Sequence, residues 1–258
     1  MGRFTTLELA DGAGNIPLHE EPRLAGEPIK DAQFYLDEAD RHFFRDELEE
    51  ALQGYSRAVG IDAGAAAAWC GQLFCLIRLE EFHEAELWYG SAVGMVGESP
   101  DLLALRALTA ARQGIFDKAC GYSDASLEAG GSALAQVVRG ELFLYSQRNA
   151  AYCFEQACSL PGVEWRTRAL IADGCLFSDR REAAGLALQF LMPGIAKYPE
   201  RGELQMRAAR VYLRLNNRKA ALAALEAAAS LLAECAPLAE VREEYVRRSG
   251  FWQRLFHR

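Results

Sequence analysis

Residues 66–99 read AAAWCGQLFCLIRLEEFHEAELWYGSAVGMVGES, a pattern typical of two amphipathic helices joined by a tight turn at 79–81. The spacing in the second helix places four side chains on one face: Phe82, Ala85, Tyr89 and Ala92. Thirty-four residues earlier stand Leu48, Ala51, Tyr55 and Ala58, and thirty-four later Phe116, Ala119, Ser123 and Ser126. A repeat of this period predicts a helical solenoid.

The same pattern extends along the chain and predicts an all-α fold of about six helix pairs. We expect the pairs at 32–44 with 47–60, 65–78 with 81–94, 100–112 with 115–128, 133–146 with 148–159, 164–177 with 180–196, and 202–215 with 217–234. The dipeptide Pro193-Gly194 should kink or shorten the helix that contains it. A last helix at about 238–256 is expected to cover the apolar edge of the sixth pair.

The two ends of the chain differ from the repeats. Residues 1–30 contain three prolines and four glycines, so we expect an extended leader there, followed by the solenoid at 31–236. The leader either stays loose or folds back onto the solenoid through its apolar residues Leu7, Leu9, Ile16 and Leu18. Residues 237–258 are expected to form a capping helix with a basic-aromatic tail, in which Trp252 and Phe256 stand among arginines. That tail either extends the cap or docks on a partner or an anionic membrane surface.

The repeats resemble those of the tetratricopeptide-repeat family. The family pattern is matched in the second repeat by Trp69, Glu80, Phe82, Ala85, Tyr89 and Ala92, and in the fourth by Ala150, Phe154, Ala157 and Pro161. Larger residues at Leu73 and Val138, and Ser123 and Ser126 in the third repeat, depart from it. The resemblance implies a right-handed α-solenoid whose first helices line a concave groove. Because the matching residues are packing residues, it implies nothing specific about function.

Composition excludes several classes of protein. The chain has 258 residues, of which 51% are hydrophobic and 25% charged, as in a globular protein with a continuous core. Its net charge of −8 argues against nucleic-acid binding through phosphate contacts. No secretory signal or membrane-spanning stretch is apparent in the sequence, which predicts a cytoplasmic protein.

Motifs for chemistry are missing from the sequence. It contains no phosphate-binding loop, no nucleophile elbow and no HExxH motif, so we expect neither an enzyme nor a cofactor. The seven cysteines stand mostly within apolar helical patterns and are expected to be buried thiols. Since there is no CxxC and no paired histidine, no metal site is expected.

Projection of the family geometry onto the first helices predicts a peptide-binding groove. Its candidate residues are Leu36, Phe43, Phe74, Ile77, Leu108, Arg139, Leu142 and Arg210. Apolar anchors and arginines of this kind suit an acidic-apolar segment of a partner. The alternative for Phe43, Phe74 and Leu108 is that they belong to the core between repeats.

Three functions fit this sequence. The first is a non-catalytic scaffold or adaptor that binds a protein or peptide segment in the concave groove. The second is a self-assembling, homo-oligomeric repeat protein, and the third is an assembly factor at a membrane, which it would contact only through the C-terminal tail. Light scattering separates the first from the second, and sedimentation with liposomes tests the third.

Overall fold

A computed structural model describes residues 30–162, 164–178 and 180–256, with side chains up to residue 248. These residues form thirteen α-helices and no strand, which confirms the predicted all-α solenoid. The helices are α1 (Ala32–Phe44), α2 (Leu48–Ile61), α3 (Ala66–Arg78), α4 (Phe82–Val96), α5 (Pro100–Arg112), α6 (Phe116–Glu128), α7 (Ala133–Tyr145), α8 (Ala151–Ser159), α9 (Glu164–Phe177), α10 (Arg181–Lys197), α11 (Gly202–Arg214), α12 (Arg218–Leu231) and α13 (Ala236–Phe256).

Side-chain caps fix the starts of several first helices. The carboxylate of Asp31 accepts a hydrogen bond from the backbone N–H of Phe34 at 2.8 Å, where α1 begins. Ser99 caps α5 in the same way, and Pro100 follows it at the first helical position. Because a cap satisfies N–H groups that lack a partner within the helix, these residues set the boundaries that the sequence predicts.

The turn within most helix pairs contains one residue in the left-handed conformation. These residues are Asp46, Glu80, Gly114, Gln147 and Asn216, with φ between 56° and 77°. The first three are 34 residues apart, but Gln147 follows Gly114 by only 33. This shorter step rotates the fourth pair relative to a strict 34-residue projection.

Close contacts between helices depend on glycine and alanine. A Cβ added to Gly140 would lie 2.2 Å from the ring of Phe154, so only glycine admits the aromatic side chain of the second helix there. A Cβ added to Gly71 would likewise lie 2.4 Å from the ring of Tyr55, which belongs to the first repeat. The first helices α1, α3, α5, α7, α9 and α11 pack on one another in order and form an inner layer. The second helices lie outside it, as expected from the repeat pattern.

Pro193 does not shorten its helix, contrary to one of the two outcomes expected. Helix α10 continues through Pro193 to Lys197. A proline leaves carbonyls of the preceding turn without their helical donors. The guanidinium of Arg168 donates to the carbonyl of Phe190 at 2.7 Å, and Gly194 gives this arginine the room to pass. The carbonyl that loses its helical donor to Pro193 is that of Gln189, so this bond from α9 supports the next carbonyl in the same turn.

Helix α13 packs against α11 and α12. Leu238 and Val241 are buried in this contact, and Arg248 donates to the carbonyl of Leu213 at 2.8 Å. The helix runs on through Gly250 to Phe256. The predictions for residues 1–29 and for the side chains of 251–258 lie outside what the structure describes. Within the part that it covers, no helix is long and apolar enough to cross a bilayer.

Candidate functional site: a closed concave face and its central cavity

The first repeat meets the fifth and sixth across the concave face. The ring of Phe44 at the end of α1 packs on Trp165 of α9, with centroids 4.9 Å apart. Asp40 forms an ion pair with Arg166 of the same helix. From α11, Arg207 donates to the carbonyl of Phe44 at 2.8 Å. The solenoid is thus closed on itself, with α1 in contact with helices more than 120 residues away in sequence.

A largely buried cluster of five charges lies at this closure. Asp46 pairs with Arg78 at 3.0 Å and Arg207 at 3.3 Å, and it also binds Arg210. Asp173 accepts two hydrogen bonds from Arg207, both at 2.9 Å. Arg207 is fully buried, so its charge depends on these two carboxylates. The cluster joins the first, second, fifth and sixth repeats.

The electrostatics of the cluster favour its charged form. Burial alone would raise the pKa of Asp46, but Arg78, Arg207 and Arg210 outweigh this and hold that pKa well below its usual range. Burial likewise opposes the charge on Arg78, whose pKa is nevertheless raised by Asp46 and Asp173. At neutral pH the cluster therefore holds three cations and two anions, with a net charge of about +1.

Beside the cluster, the inner layer borders a half-open central cavity of about 290 Å³. Its walls come from α3, α5, α7, α9 and α11. The lining residues are Phe74, Arg78, Leu108, Arg112, Val137, Val138, Glu141, Leu170, Asp173, Gly174, Leu176, Phe177 and Arg210. Apolar side chains form most of the wall, and three arginines face two carboxylates. Such a volume lies at the lower end of the range for ligand pockets, which begins at about 300 Å³.

One wall of the central cavity is held by a second, smaller network. Arg112 pairs with Glu141 at 2.6 Å and lies over the ring of Phe177, 3.1 Å from its centroid. The hydroxyl of Tyr145 donates to the same carboxylate at 2.8 Å. The Nε atom of Arg112 is buried and lacks a hydrogen-bond acceptor among the described residues.

Of the eight predicted groove residues, three line the cavity and two are buried in the core around it. Phe74, Leu108 and Arg210 line the cavity. Phe43 and Ile77 are buried in the core between repeats. The rings that contact Phe43 are those of Phe44, Tyr55 and Phe74 in the first two repeats, so Phe43 belongs to the core between neighbouring repeats. As contacts for a peptide, all five stay predictions.

The other three predicted residues lie away from the cavity. Leu36 is half-buried on α1 and packs against the core. Arg139 pairs with Asp124 of α6 at 2.5 Å, and together with Leu142 it lines a separate cavity of about 200 Å³. For the fourth repeat, the turn residues show a step of 33, so the position equivalent to Leu108 is Glu141 in the cavity wall, whereas the predicted Arg139 is only 31 residues from Leu108. As peptide contacts these three also stay predictions.

Sequence reasoning missed most of the charged residues of the site. Arg78 and Arg112 each end a first helix and stand 34 residues apart. Asp173 and Arg207 have the same spacing in the fifth and sixth repeats and form an ion pair. The opposite charges of Asp173 and Arg207 at equivalent positions of consecutive repeats are thus the signal that could have revealed this one contact.

The site offers no arrangement for metal chemistry among the described residues. No group of three or more His, Cys, Asp or Glu side chains is placed to hold a metal ion there. The buried thiol of Cys175 lies close to the cavity wall, and burial, with Glu141 and Asp173, raises its pKa well above the usual thiol range. A thiol in this state is a poor nucleophile at neutral pH.

Comparison with known proteins identifies the fold. No family model and no curated protein sequence matches the chain. The structure of a human IFIT1 dimer with PPP-AAAA is similar, with a TM-score of 0.55 and 13% identity. The similarity covers 86% of this chain and 55% of that one. A tetratricopeptide repeat protein from Parabacteroides merdae gives a TM-score of 0.49 at 17% identity, over 84% of this chain and 86% of its own.

Yeast Tom70 gives a TM-score of 0.48 at 14% identity, and the similarity covers 86% of this chain and 48% of that one. This chain therefore spans only about half the length of IFIT1 and Tom70. At these identities the similarities concern the fold alone. The chain has the fold of the tetratricopeptide-repeat proteins.

Proposed function

We propose that this chain is a non-catalytic interaction scaffold that binds a segment of a partner protein at the central cavity. The observation that carries the proposal is the cavity itself, which combines an apolar wall with arginines that are held in place by buried ion pairs. Preorganised groups of this kind favour binding because little side-chain freedom is lost when the ligand arrives.

The size and charge of the cavity restrict the ligand. A volume of about 290 Å³ is too small for a threaded peptide, so the partner is expected to insert a side chain. Three arginines against two carboxylates favour a carboxylate at its tip, and Phe74 and Leu170 offer contact to its apolar neighbours. The preferred ligand is thus an acidic-apolar segment.

Protein is a better ligand class than nucleic acid for this site. A polyphosphate backbone needs many cations, whereas this cavity has three arginines and two carboxylates that offset most of their charge, which suffices for a single carboxylate only. The net charge of −8 adds long-range repulsion. The PPP-AAAA in the IFIT1 structure is therefore not carried over to this chain.

The test is selection of phage-displayed random peptides on the full chain, with a cavity variant as comparison. Leu170 is half-buried in the cavity wall, and Leu170→Glu would put a competing carboxylate there. The matched control is Leu87→Glu, because Leu87 is 50% exposed on the outer helix α4. We expect enriched peptides with an acidic residue beside apolar ones, which bind the wild type and the control but not Leu170→Glu. Selected peptides that bind Leu170→Glu as well as the wild type would overturn the proposal, provided that circular dichroism shows all three chains folded.

A further inference from the structure

Arg210 of α11, in the wall of the central cavity, uses only part of its hydrogen-bonding capacity. Its Nη1 atom donates to the carboxylate of Asp46. Asp46 also pairs with Arg78 and Arg207, so this carboxylate does not serve Arg210 alone. Among the residues that the structure describes, the Nε and Nη2 atoms of Arg210 have no acceptor.

The two unpaired nitrogen atoms can be reached from the cavity. Arg210 lines this half-open space, and 22% of its side chain is exposed. Its Nε and Nη2 atoms are not enclosed by protein, whereas the Nε atom of Arg112 in the same wall is buried. In a guanidinium, the N–H groups of these two atoms point in parallel along one edge, and the two oxygens of a carboxylate match that edge. Arg210 thus presents a bidentate site for a carboxylate.

The balance of charge around the cavity leaves room for one anion. Three arginines and two carboxylates line the wall. Arg207 and Asp46 lie behind it and add one charge of each sign, so the whole set keeps a net charge of about +1. Both carboxylates of the wall are held by other cations, Asp173 by Arg207 at 2.9 Å and Glu141 by Arg112 at 2.6 Å. A monoanion therefore neutralises the set, whereas a doubly charged phosphate would leave it negative.

The remainder of the wall suits a short apolar chain. Phe74 and Leu176 are half-buried and Leu108 is buried, and all three line the cavity. Each methylene group that leaves water for such a surface strengthens binding about fourfold. The volume of about 290 Å³, at the lower end of the range for ligand pockets, restricts the ligand to a small molecule.

We propose that the central cavity binds a free monocarboxylate with a short apolar chain, of the class represented by hexanoate. The carboxylate lies on the Nε–Nη2 edge of Arg210, and the chain lies against Phe74, Leu108 and Leu176. The inference goes beyond the proposed function, because the ligand is a free small molecule and no partner protein is needed. Since both ligands use the same cavity, the small carboxylate also competes with the carboxylate of a partner segment.

Calorimetric titration of the full chain with hexanoate tests this, with hexanamide and acetate as matched ligands. We expect hexanoate to bind with a Kd of about 0.1–1 mM. Hexanamide keeps the chain but lacks the charge, and acetate keeps the charge but lacks the chain, so each should bind at least about tenfold more weakly. In NMR spectra of isotopically labelled protein, the Nε–H signal of Arg210 should shift during the titration with hexanoate and stay in place with hexanamide.

Two substitutions separate the bidentate contact from charge alone. Arg210→Lys keeps the positive charge but cannot offer the parallel N–H pair, so the affinity for hexanoate should fall at least about tenfold. The same variant identifies the NMR signal of Arg210 by its absence. The control is Arg57→Gln, because Arg57 is exposed on the outer helix α2, and it should bind hexanoate as the wild type does. Circular dichroism checks that both variants are folded; if Arg210→Lys is not, the three ligands compared on the wild type decide.

Three results would overturn the inference. One is that the wild type shows no saturable binding of hexanoate. The second is that hexanamide binds as tightly as hexanoate, and the third is that folded Arg210→Lys binds hexanoate as tightly as the wild type. The phage selection does not use these ligands, so enriched peptides without hexanoate binding would overturn this inference and leave the proposed function standing. Hexanoate binding without enriched peptides would support this inference alone.

Discussion

Replacing Asp46 by asparagine is expected to destabilise the closed solenoid strongly. Asp46→Asn keeps the size of the side chain but removes its charge. In the wild type, Arg78, Arg207 and Arg210 face two carboxylates, whereas in the variant they face Asp173 alone. Arg207 has no exposed surface, so it cannot turn toward water to recover the lost interaction.

The expected magnitude follows from the burial of the cluster. Removal of one partner from a buried ion pair costs about 3–5 kcal/mol, because an uncompensated charge is left behind. For a chain of this size each kcal/mol lowers the melting temperature by about 2–4 °C. We therefore expect the melting temperature of Asp46→Asn to fall by about 6–20 °C in a circular dichroism or calorimetric scan.

Two further variants make this result decisive. Asp124→Asn is the same chemical change at a side chain that is 54% exposed, and a surface ion pair contributes at most about 1 kcal/mol. Adding Arg210→Gln to Asp46→Asn removes one cation and should recover part of the loss, as expected for coupled residues. Melting temperatures of Asp46→Asn and Asp124→Asn within about 2 °C of each other would refute the reasoning.

The pH dependence of stability gives an independent check of the same residue. The pKa of Asp46 is lower in the folded chain than in the unfolded one. Its stabilising contribution is therefore complete above the unfolded pKa of about 3.9 and is lost as the pH falls below that value. Asp46→Asn should have a flatter stability profile in this acid range than the wild type, as measured by urea unfolding at a series of pH values.

Other positions give further predictions. Gly140→Ala should cost about 1–3 kcal/mol, because the new methyl group meets an aromatic ring, whereas Gly90→Ala, which has open space, should gain about 0.5–1 kcal/mol in urea unfolding. Iodoacetamide at pH 8 should modify exposed Cys120 first and Cys175 only after unfolding, because Cys175 is buried and its pKa is raised; peptide mass spectrometry measures the order. Hydrogen bonds from Lys197 and Arg168 lower the pKa of Glu164 from 4.5 to about 2, so its contribution is present above pH 4.5 and lost toward pH 2; Glu164→Gln should weaken this acid dependence in unfolding scans.

Most of the helix boundaries could be predicted because the signals that set them are local. Caps such as Asp31 and Ser99 act within three residues, and the turn residues recur with the repeat. The largest error at a helix start is at α8, which begins at Ala151 rather than at 148. There the side chain of Asn149 accepts a hydrogen bond from the N–H of Ala151, and the prediction gave this short polar residue no role.

The closure of the concave face could not be predicted in the same way. It depends on small rotations between repeats that accumulate over the whole array, and each rotation depends on packing that a periodicity does not specify. In the sequence, nothing distinguishes Asp46 from other polar residues in turns, or Arg207 from other cations within helices. Only the folded chain brings them together, across about 160 residues. Because the sequence does not reveal this contact, projection of the repeat geometry places the groove residues on an open surface.

Closure changes what the repeats can do, because it uses concave surface for intramolecular contact. In an open array each repeat contacts only its neighbours, and the concave side stays free along its length. Here α1 lies against α9 and α11, and the central cavity remains as space on that face. The arginines that hold the solenoid closed, Arg78 and Arg210, also line this cavity. A ligand carboxylate in the cavity would therefore compete with Asp46 for the same donors, which couples ligand binding to the stability of the closed form.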